Sequence, residues 1–207
     1  MKISYAVTTH QEHEEISRLI PFLLEHKDDE DELVIVDDYS DYKCWETFDK
    51  VIHREDVTFV EHQLNNDFAV HKNFLNSQCT GDWIVNIDAD EMPNKCLMEN
   101  IKPLIETNPT IELYWVPRVN TVDGITPEHV RLWGWNVGDN GWVNFPDPQQ
   151  RIYKNSDHIQ WVRPVHERLI GAGQDAYLPF EEEWSFYHHK TINKQEQQNK
   201  HYEGILK

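Results

Sequence analysis

Basic residues are scarce in this 207-residue chain: 19 Lys and Arg stand against 37 Asp and Glu, a formal charge of −18. Such a surplus repels a phosphate backbone or an anionic membrane across a Debye length of about 8–10 Å, so nucleic acid is set aside as a partner. Cysteine is scarcer still. Cys44, Cys79 and Cys96 are widely spaced, odd in number and form no C-x-x-C pair, which excludes a disulfide framework and suits a reducing compartment. No apolar run approaches the roughly 20 residues that cross a bilayer, and the opening MKISYAVTTHQEHEE turns acidic too soon for a signal peptide. A soluble, cytoplasmic protein without a transmembrane segment is expected. Twelve His raise the question of zinc, and His10-x-x-His13 has a usable spacing. No HExxH, CxxC or matching third ligand accompanies it, so zinc is also set aside.

What the chain does contain is bulk. Hydrophobic residues make up 39% and eight are Trp, enough to build a core at this length without covalent or metal staples. No repeat, low-complexity tract or Gly/Ser linker divides it, and one domain spanning 1–207 is expected. The first half alternates strand and helix. Lys2 to Thr8 reads as a strand. His13 to His26 reads as a helix, because Ile16, Leu19, Ile20, Leu23 and Leu24 recur on one face, with a kink expected at Pro21. Leu33 to Val36 is an apolar β-branched run of the kind found in a strand buried on both faces. A helix over 42–52, the strand VTFVEH, a helix over 67–78, the strand DWIVNID, and a helix over 94–107 bent at Pro103 follow. Such alternation with short connections implies a mostly parallel central sheet flanked by helices, an open α/β domain of nucleotide-binding type. After strand 111–116 the pattern changes. Residues 118–150 read as one irregular excursion, rich in Gly, Pro, Asn and Trp and too long for an ordinary connection. QRIYK, HIQWVRPV and EWSFYHH are strand candidates, and a polar helix is expected over 193–206. The second half reads as a β-rich cap.

In an open α/β sheet, ligands bind beyond the carboxyl ends of the strands. LVIV ends there in Asp37 and Asp38, and WIVNI ends in Asp88, Asp90 and Glu91. Side chains alternate along extended backbone, so Asp88 and Asp90 point the same way with Ala89 opposite. Two aligned carboxylates repel each other unless a cation lies between them and the ligand. A hard ion, Mn²⁺ or Mg²⁺, suits oxygen donors and brings a diphosphate with it, which makes an anionic substrate tolerable to so acidic a chain.

VDDYSD (Val36 to Asp41), HKNFLNSQCTGDWIVNIDADE (His71 to Glu91) and RPVHERL (Arg163 to Leu169) together resemble family 2 glycosyltransferases of the GT-A fold. The likeness is to the bacterial and viral branch with DADE and VHE motifs, similar to lipopolysaccharide-core-type glycosyltransferases. The resemblance implies an inverting, metal-dependent transfer of sugar from a nucleoside diphosphate, most often UDP, to a glycan or lipid-linked acceptor. The setting would be the bacterial cytoplasm, or the host cytoplasm for a viral protein. Residues 1–116 would then bind the nucleotide sugar and 117–207 the acceptor. Thr8, Thr9, His10 and Asp38 would meet the nucleoside. Lys72 would reach the diphosphate, standing where many relatives carry Arg, and Asp88 the ribose or the metal. Asp90 would be the principal metal ligand, with His188 of the pair His188–His189 completing the shell or touching the diphosphate while the other ring faces away.

Inversion needs a base to take the acceptor hydroxyl's proton. The resemblance points to Glu167; the alternative for that residue is a salt bridge with Arg163 or Arg168, and Asp147 is the reserve. His166 would orient Glu167 or touch phosphate, or else simply pack. Trp133, Trp135 and Trp142 suit either a sugar platform or packing of the excursion. Arg118 and Arg151 either bind an anionic acceptor or pair with surplus acids. A nucleotidyltransferase acting on sugar phosphates is the enzymatic alternative, but it calls for a Gly-rich basic loop after the first strand, where this chain has THQEHEE. A non-catalytic carbohydrate-binding module is the other.

Overall fold

The computed structural model describes the backbone of residues 1–205 and the side chains of residues 1–200. In chain order the elements are β1 (Ile3–Thr9), α1 (His13–His26), β2 (Glu32–Asp37), α2 (Tyr42–Phe48), β3 (Val57–Glu61), α3 (Phe68–Gln78), β4 (Trp83–Asp88), β5 (Glu91–Pro93) and α4 (Lys95–Thr107). They continue with β6 (Leu113–Val116), β7 (Arg118–Asp123), α5 (Pro127–Trp133), β8 (Gln149–Lys154), β9 (Gln160–Val162), β10 (Arg168–Ile170), β11 (Asp175–Tyr177), a 3-10 turn (Glu182–Trp184), β12 (Phe186–Thr191) and α6 (Ile192–Ile205).

Seven strands form the central sheet in the order β11-β6-β8-β4-β1-β2-β3. Only β8 runs against the others, so the sheet is mostly parallel as expected. All six residues of β2 are buried, because helices cover both faces of a sheet joined by crossovers. On one side Ile16, Leu19, Ile20 and Leu23 of α1 and Leu97, Ile101 and Ile105 of α4 pack with Val7, Ile35 and Val85. On the other, Ala69 and Leu75 of α3 meet Ala6, Val34 and Trp161. Side-chain caps start the helices: Asp41 on α2, Asp67 on α3 and Asn94 on α4 each accept a backbone N–H of the first turn.

Pro21 and Pro103 lie inside α1 and α4, each a single continuous helix. Several expectations are corrected. α2 ends at Phe48 rather than at residue 52, and the chain leaves it in turns. The stretch 118–150 is not one irregular excursion. It opens with β7 and contains α5, which Thr126 caps and Gly134 closes at φ 65°, a left-handed value that glycine adopts without strain. HIQWVRPV is not a continuous strand: β9 pairs antiparallel with β10, and residues 163–167 form the loop between them. EWSFYHH divides into the 3-10 turn and β12. The last expected helical position, Leu206, lies outside the described residues.

A second sheet, β5-β12-β7, sits beside the carboxyl end of β4. Its register aligns His188 of β12 with Glu91 of β5 and with Asn120 of β7, so three polar residues distant in sequence form one row across three strands.

Candidate active site

The carboxyl ends of β1, β2 and β4, the start of β8 and the second sheet enclose a cleft of about 910 Å³. Thr8 lies opposite Asp88 in the β1–β4 register, and Thr9 opposite Asp37 in β1–β2. Because β8 runs the other way, its first residues, including Arg151, arrive at that same edge. Thr8, Thr9, His10, Asp38, Lys72, Asp88, Asp90, Arg118, Trp135, Asp147, His166, Glu167 and His188 all line the cleft. Trp133 and Trp142 do not. Trp133 stacks on His129 and touches Trp135, whereas Trp142 borders a separate depression with Phe145.

At the nucleoside end, His10 Nδ1 is 2.7 Å from the Asp38 carbonyl oxygen. One Asp38 carboxylate oxygen accepts the Leu64 N–H at 3.1 Å. The Thr9 hydroxyl is buried and has no hydrogen-bond partner among the described residues, an uncommon state for a buried polar group.

Charge is densest around the strand-end acids. Lys72 is 2% exposed and places Nζ 3.0 Å from Asp88 and 2.8 Å from Glu167, with the ring of Trp161 centred 4.8 Å away. Burial lowers its pKa, but Asp88 and Glu167 outweigh that and raise it. Arg151 Nη2 lies 2.7 Å from both Asp88 and Glu91, and its Nε–H is buried without a partner among the described residues. Arg118 joins Glu91 at 3.0 Å and Asp147 at 2.7 Å. Of the two readings open for the arginines, pairing with acids is what the geometry displays. Burial opposes charge on Asp88, yet Arg151 and Lys72 overcome it and hold the carboxyl well below the usual range. Asp147 also accepts from Asn120 and Gln149, and Arg118 and Asn120 outweigh burial to lower its pKa.

Asp90 sits apart from that cluster. Its Oδ2 is 3.4 Å from His188 Nε2, 3.8 Å from Lys190 Nζ and 3.5 Å from Lys194 Nζ. His188 Nδ1 lies 2.7 Å from Asn120 Oδ1, and Asn120 donates its amide N–H to Asp147 at 2.8 Å. That chain makes Nδ1 a donor to Asn120 and turns Nε2 toward Asp90. His189 points elsewhere, to Thr121 and Asp123.

Among the described residues no three His, Cys, Asp or Glu side chains gather into a metal cage. Asp90 and His188 could supply two donors to an ion, and a hard ion commonly takes one or two carboxylates and fills the rest of its shell with substrate phosphates and water, so the pair fits such an ion. Asp88, expected at the ribose or the metal, has its oxygens beside Lys72, Arg151 and the Thr8 hydroxyl.

Sequence reasoning missed Trp115, Trp161, Gln150, Glu12, Lys190 and Lys194 as cleft residues. Nothing local marks Glu12 or Lys194, which neighbour Asp90 only through the fold. Lys190 carried a signal: it lies two residues beyond His188 and shares its strand face.

A mostly parallel sheet with an acid-bearing cleft at its carboxyl edge and a small second sheet beside it defines a GT-A type domain. The chain belongs to glycosyl transferase family 2, whose sequence model matches residues 4–202. No curated protein matches it. Among solved structures, S. aureus TarS 1-349 is similar with a TM-score of 0.65 at 15% identity, over 91% of this chain and 60% of that one. TarS 1-349 in complex with UDP gives 0.65 at 16% identity over the same shares. The complex with UDP-GlcNAc gives 0.62 at 18%, over 92% and 59%. The chain therefore spans about 60% of the length of TarS 1-349, and at these identities the likeness concerns the fold. No described helix is long and apolar enough to cross a membrane.

Proposed function

We propose that the chain is an inverting glycosyltransferase of the DADE and VHE branch that moves a sugar from a nucleoside diphosphate, most simply UDP, to a glycan or lipid-linked acceptor. The observation that carries this reading is the Lys72 bridge. A single buried ammonium joins Asp88, at the end of β4, to Glu167, brought from the loop after β9. A donor-side acid and a base from the other half of the chain thereby face one cleft. UDP is preferred because the similar TarS structures hold UDP and UDP-GlcNAc.

Thr8, Thr9, His10 and Asp38 bind the nucleoside, and the unpartnered Thr9 hydroxyl supports that assignment. Residues 1–116 supply this side of the site, and 117–207 the acceptor side and the base. Asp90 and His188 would hold a Mn²⁺ or Mg²⁺ ion, which when bound supplies positive charge to the leaving diphosphate. The acceptor oxygen attacks the anomeric carbon from the face opposite the nucleotide, and the bond from that carbon to the phosphate oxygen breaks. Its electron pair leaves with the diphosphate, and Glu167 takes the hydroxyl proton. Asp147, held as a carboxylate by Arg118 and Asn120, orients Arg118 instead of serving as base. Trp135 offers an apolar face to the acceptor sugar, with His166 beside Glu167 at the cleft wall.

The test is transfer by the Glu167→Gln variant to a panel of saccharide acceptors. Nucleotide affinity is expected to stay within about twofold while the rate falls by about 10²–10⁴, the usual worth of a general base. Unchanged transfer would remove Glu167 from that role. Hydrolysis or transfer with no UDP-, GDP- or dTDP-sugar would favour the binding-module alternative.

A further inference from the structure

We infer that Lys190 and Lys194, rather than the buried bases of the cleft, bind the donor's diphosphate, and that they hold a nucleoside diphosphate even without a divalent ion. This rests on the nucleotide-sugar reading above.

Lys72, Arg118 and Arg151 are each held at 2.7–3.0 Å by carboxylates of Asp88, Glu91, Asp147 and Glu167. Three cations facing four anions leave that cluster with no positive charge to spare. An incoming phosphate would have to break a desolvated pair, and exposing one buried partner is costly.

The two C-terminal lysines are placed differently. Lys190 stands on β12 and Lys194 in the first turn of α6, and both side chains line the cleft. Lys190 Nζ donates to Gln198 at 2.6 Å and reaches Asp90 only at 3.8 Å. Lys194 is shared among Asp90, Glu12 and Glu15 at 3.5, 3.5 and 3.3 Å, and its side chain is 37% exposed. Charge-assisted bonds between ammonium and carboxylate close to about 2.7–2.9 Å. None of these four contacts does, so neither ammonium has a tight carboxylate partner beside Asp90, and Lys190 is held at short range only by the neutral amide of Gln198. Each has three N–H donors. A diphosphate, dense in acceptor oxygens, offers the close contacts that the carboxylates do not. Asp90 then acts as a resting neighbour for the lysines: when it turns to an ion, the lysines turn to the phosphates.

The test is calorimetric titration of wild type, Lys194→Gln and the Lys190→Gln/Lys194→Gln double variant with UDP and with uridine, first in EDTA and then in Mn²⁺, with GDP as a parallel ligand. Wild type is expected to bind UDP in EDTA at least about tenfold tighter than uridine, with a gain that shrinks as salt rises. Lys194→Gln is expected to lose about five- to tenfold of UDP affinity and the double variant nearly all of the gain, with uridine unchanged. Equal UDP affinity in wild type and Lys194→Gln overturns the inference, as does an equal loss for uridine or no UDP advantage in EDTA. A wild type that binds neither UDP nor GDP under any condition refutes the nucleotide-sugar reading itself. Should the double variant fail to fold, Lys194→Gln, altered at a partly exposed side chain, decides alone.

Discussion

Replacing Lys72 with Met tests the core of the site. The ammonium is 2% exposed and pairs with Asp88 at 3.0 Å and Glu167 at 2.8 Å, so its loss leaves Glu167 without its cation and Asp88 with Arg151 alone. Removing one partner of a buried pair costs about 3–5 kcal/mol. For a chain of this length each kcal/mol lowers the melting temperature by about 2–4 °C, so Lys72→Met is expected to melt about 6–20 °C below wild type. Glu167→Gln removes the stranded charge beforehand. In that background Lys72→Met should cost about 1–3 kcal/mol less than in wild type, the coupling expected of residues in direct contact. Urea unfolding of the four proteins closes the double-mutant cycle, with the slope m checked for constancy. Additivity within about 0.5 kcal/mol would show that the bridge is absent in solution. The link between Asp88 and the candidate base would fall with it.

Three further outcomes follow from the same geometry. Asp90→Ala should abolish turnover and the Mn²⁺-dependent part of nucleotide affinity; since Asp90 makes no contact shorter than 3.4 Å with His188, Lys190 or Lys194, the folded circular dichroism spectrum should persist, and retained turnover would refute its ligand role. Asn120→Ala should weaken Mn²⁺ binding about 10- to 100-fold by releasing the His188 tautomer, read by electron paramagnetic resonance titration; unchanged affinity would exclude His188 Nε2 as a ligand. His71 is buried, and burial followed by the neighbouring His62 lowers its pKa from 6.5 to about 4. The unfolded chain binds the extra proton between those values, so this contribution is complete above pH 6.5 and is lost as pH falls through about 4, a change of about 3 kcal/mol. Unfolding from pH 7.5 to 4 should be measurably steeper in wild type than in His71→Gln, and identical profiles would contradict the buried neutral imidazole.

Much of the fold was legible because its signals are local. The spacing of Ile16, Leu19, Ile20 and Leu23 specifies a buried helical face, and the β-branched run of β2 specifies a strand covered on both sides. α5 was not read, although Thr126, Pro127 and Gly134 stand at its cap, first turn and close, because the surrounding Trp, Asn and Gly obscure it. β5, β10 and β11 are three residues each, too short to carry a period of two.

By itself the sequence determined a parallel α/β sheet with acids at its strand ends, because hydrophobic period and chain direction together place those residues at one edge. Strand-end position also singled out Asp88 and Asp90, and the resemblance to family 2 glycosyltransferases added Glu167 and His188. Only the tertiary structure decided how their charges are shared. Asp88 and Asp90 are two residues apart, yet one is neutralised by Lys72 and Arg151 and the other stands among His188, Lys190 and Lys194. Electrostatic energy depends on separation in space and on burial, and both are set by the reversed strand β8, the loop before β10 and the register of β12, none of which leaves a local trace in the chain.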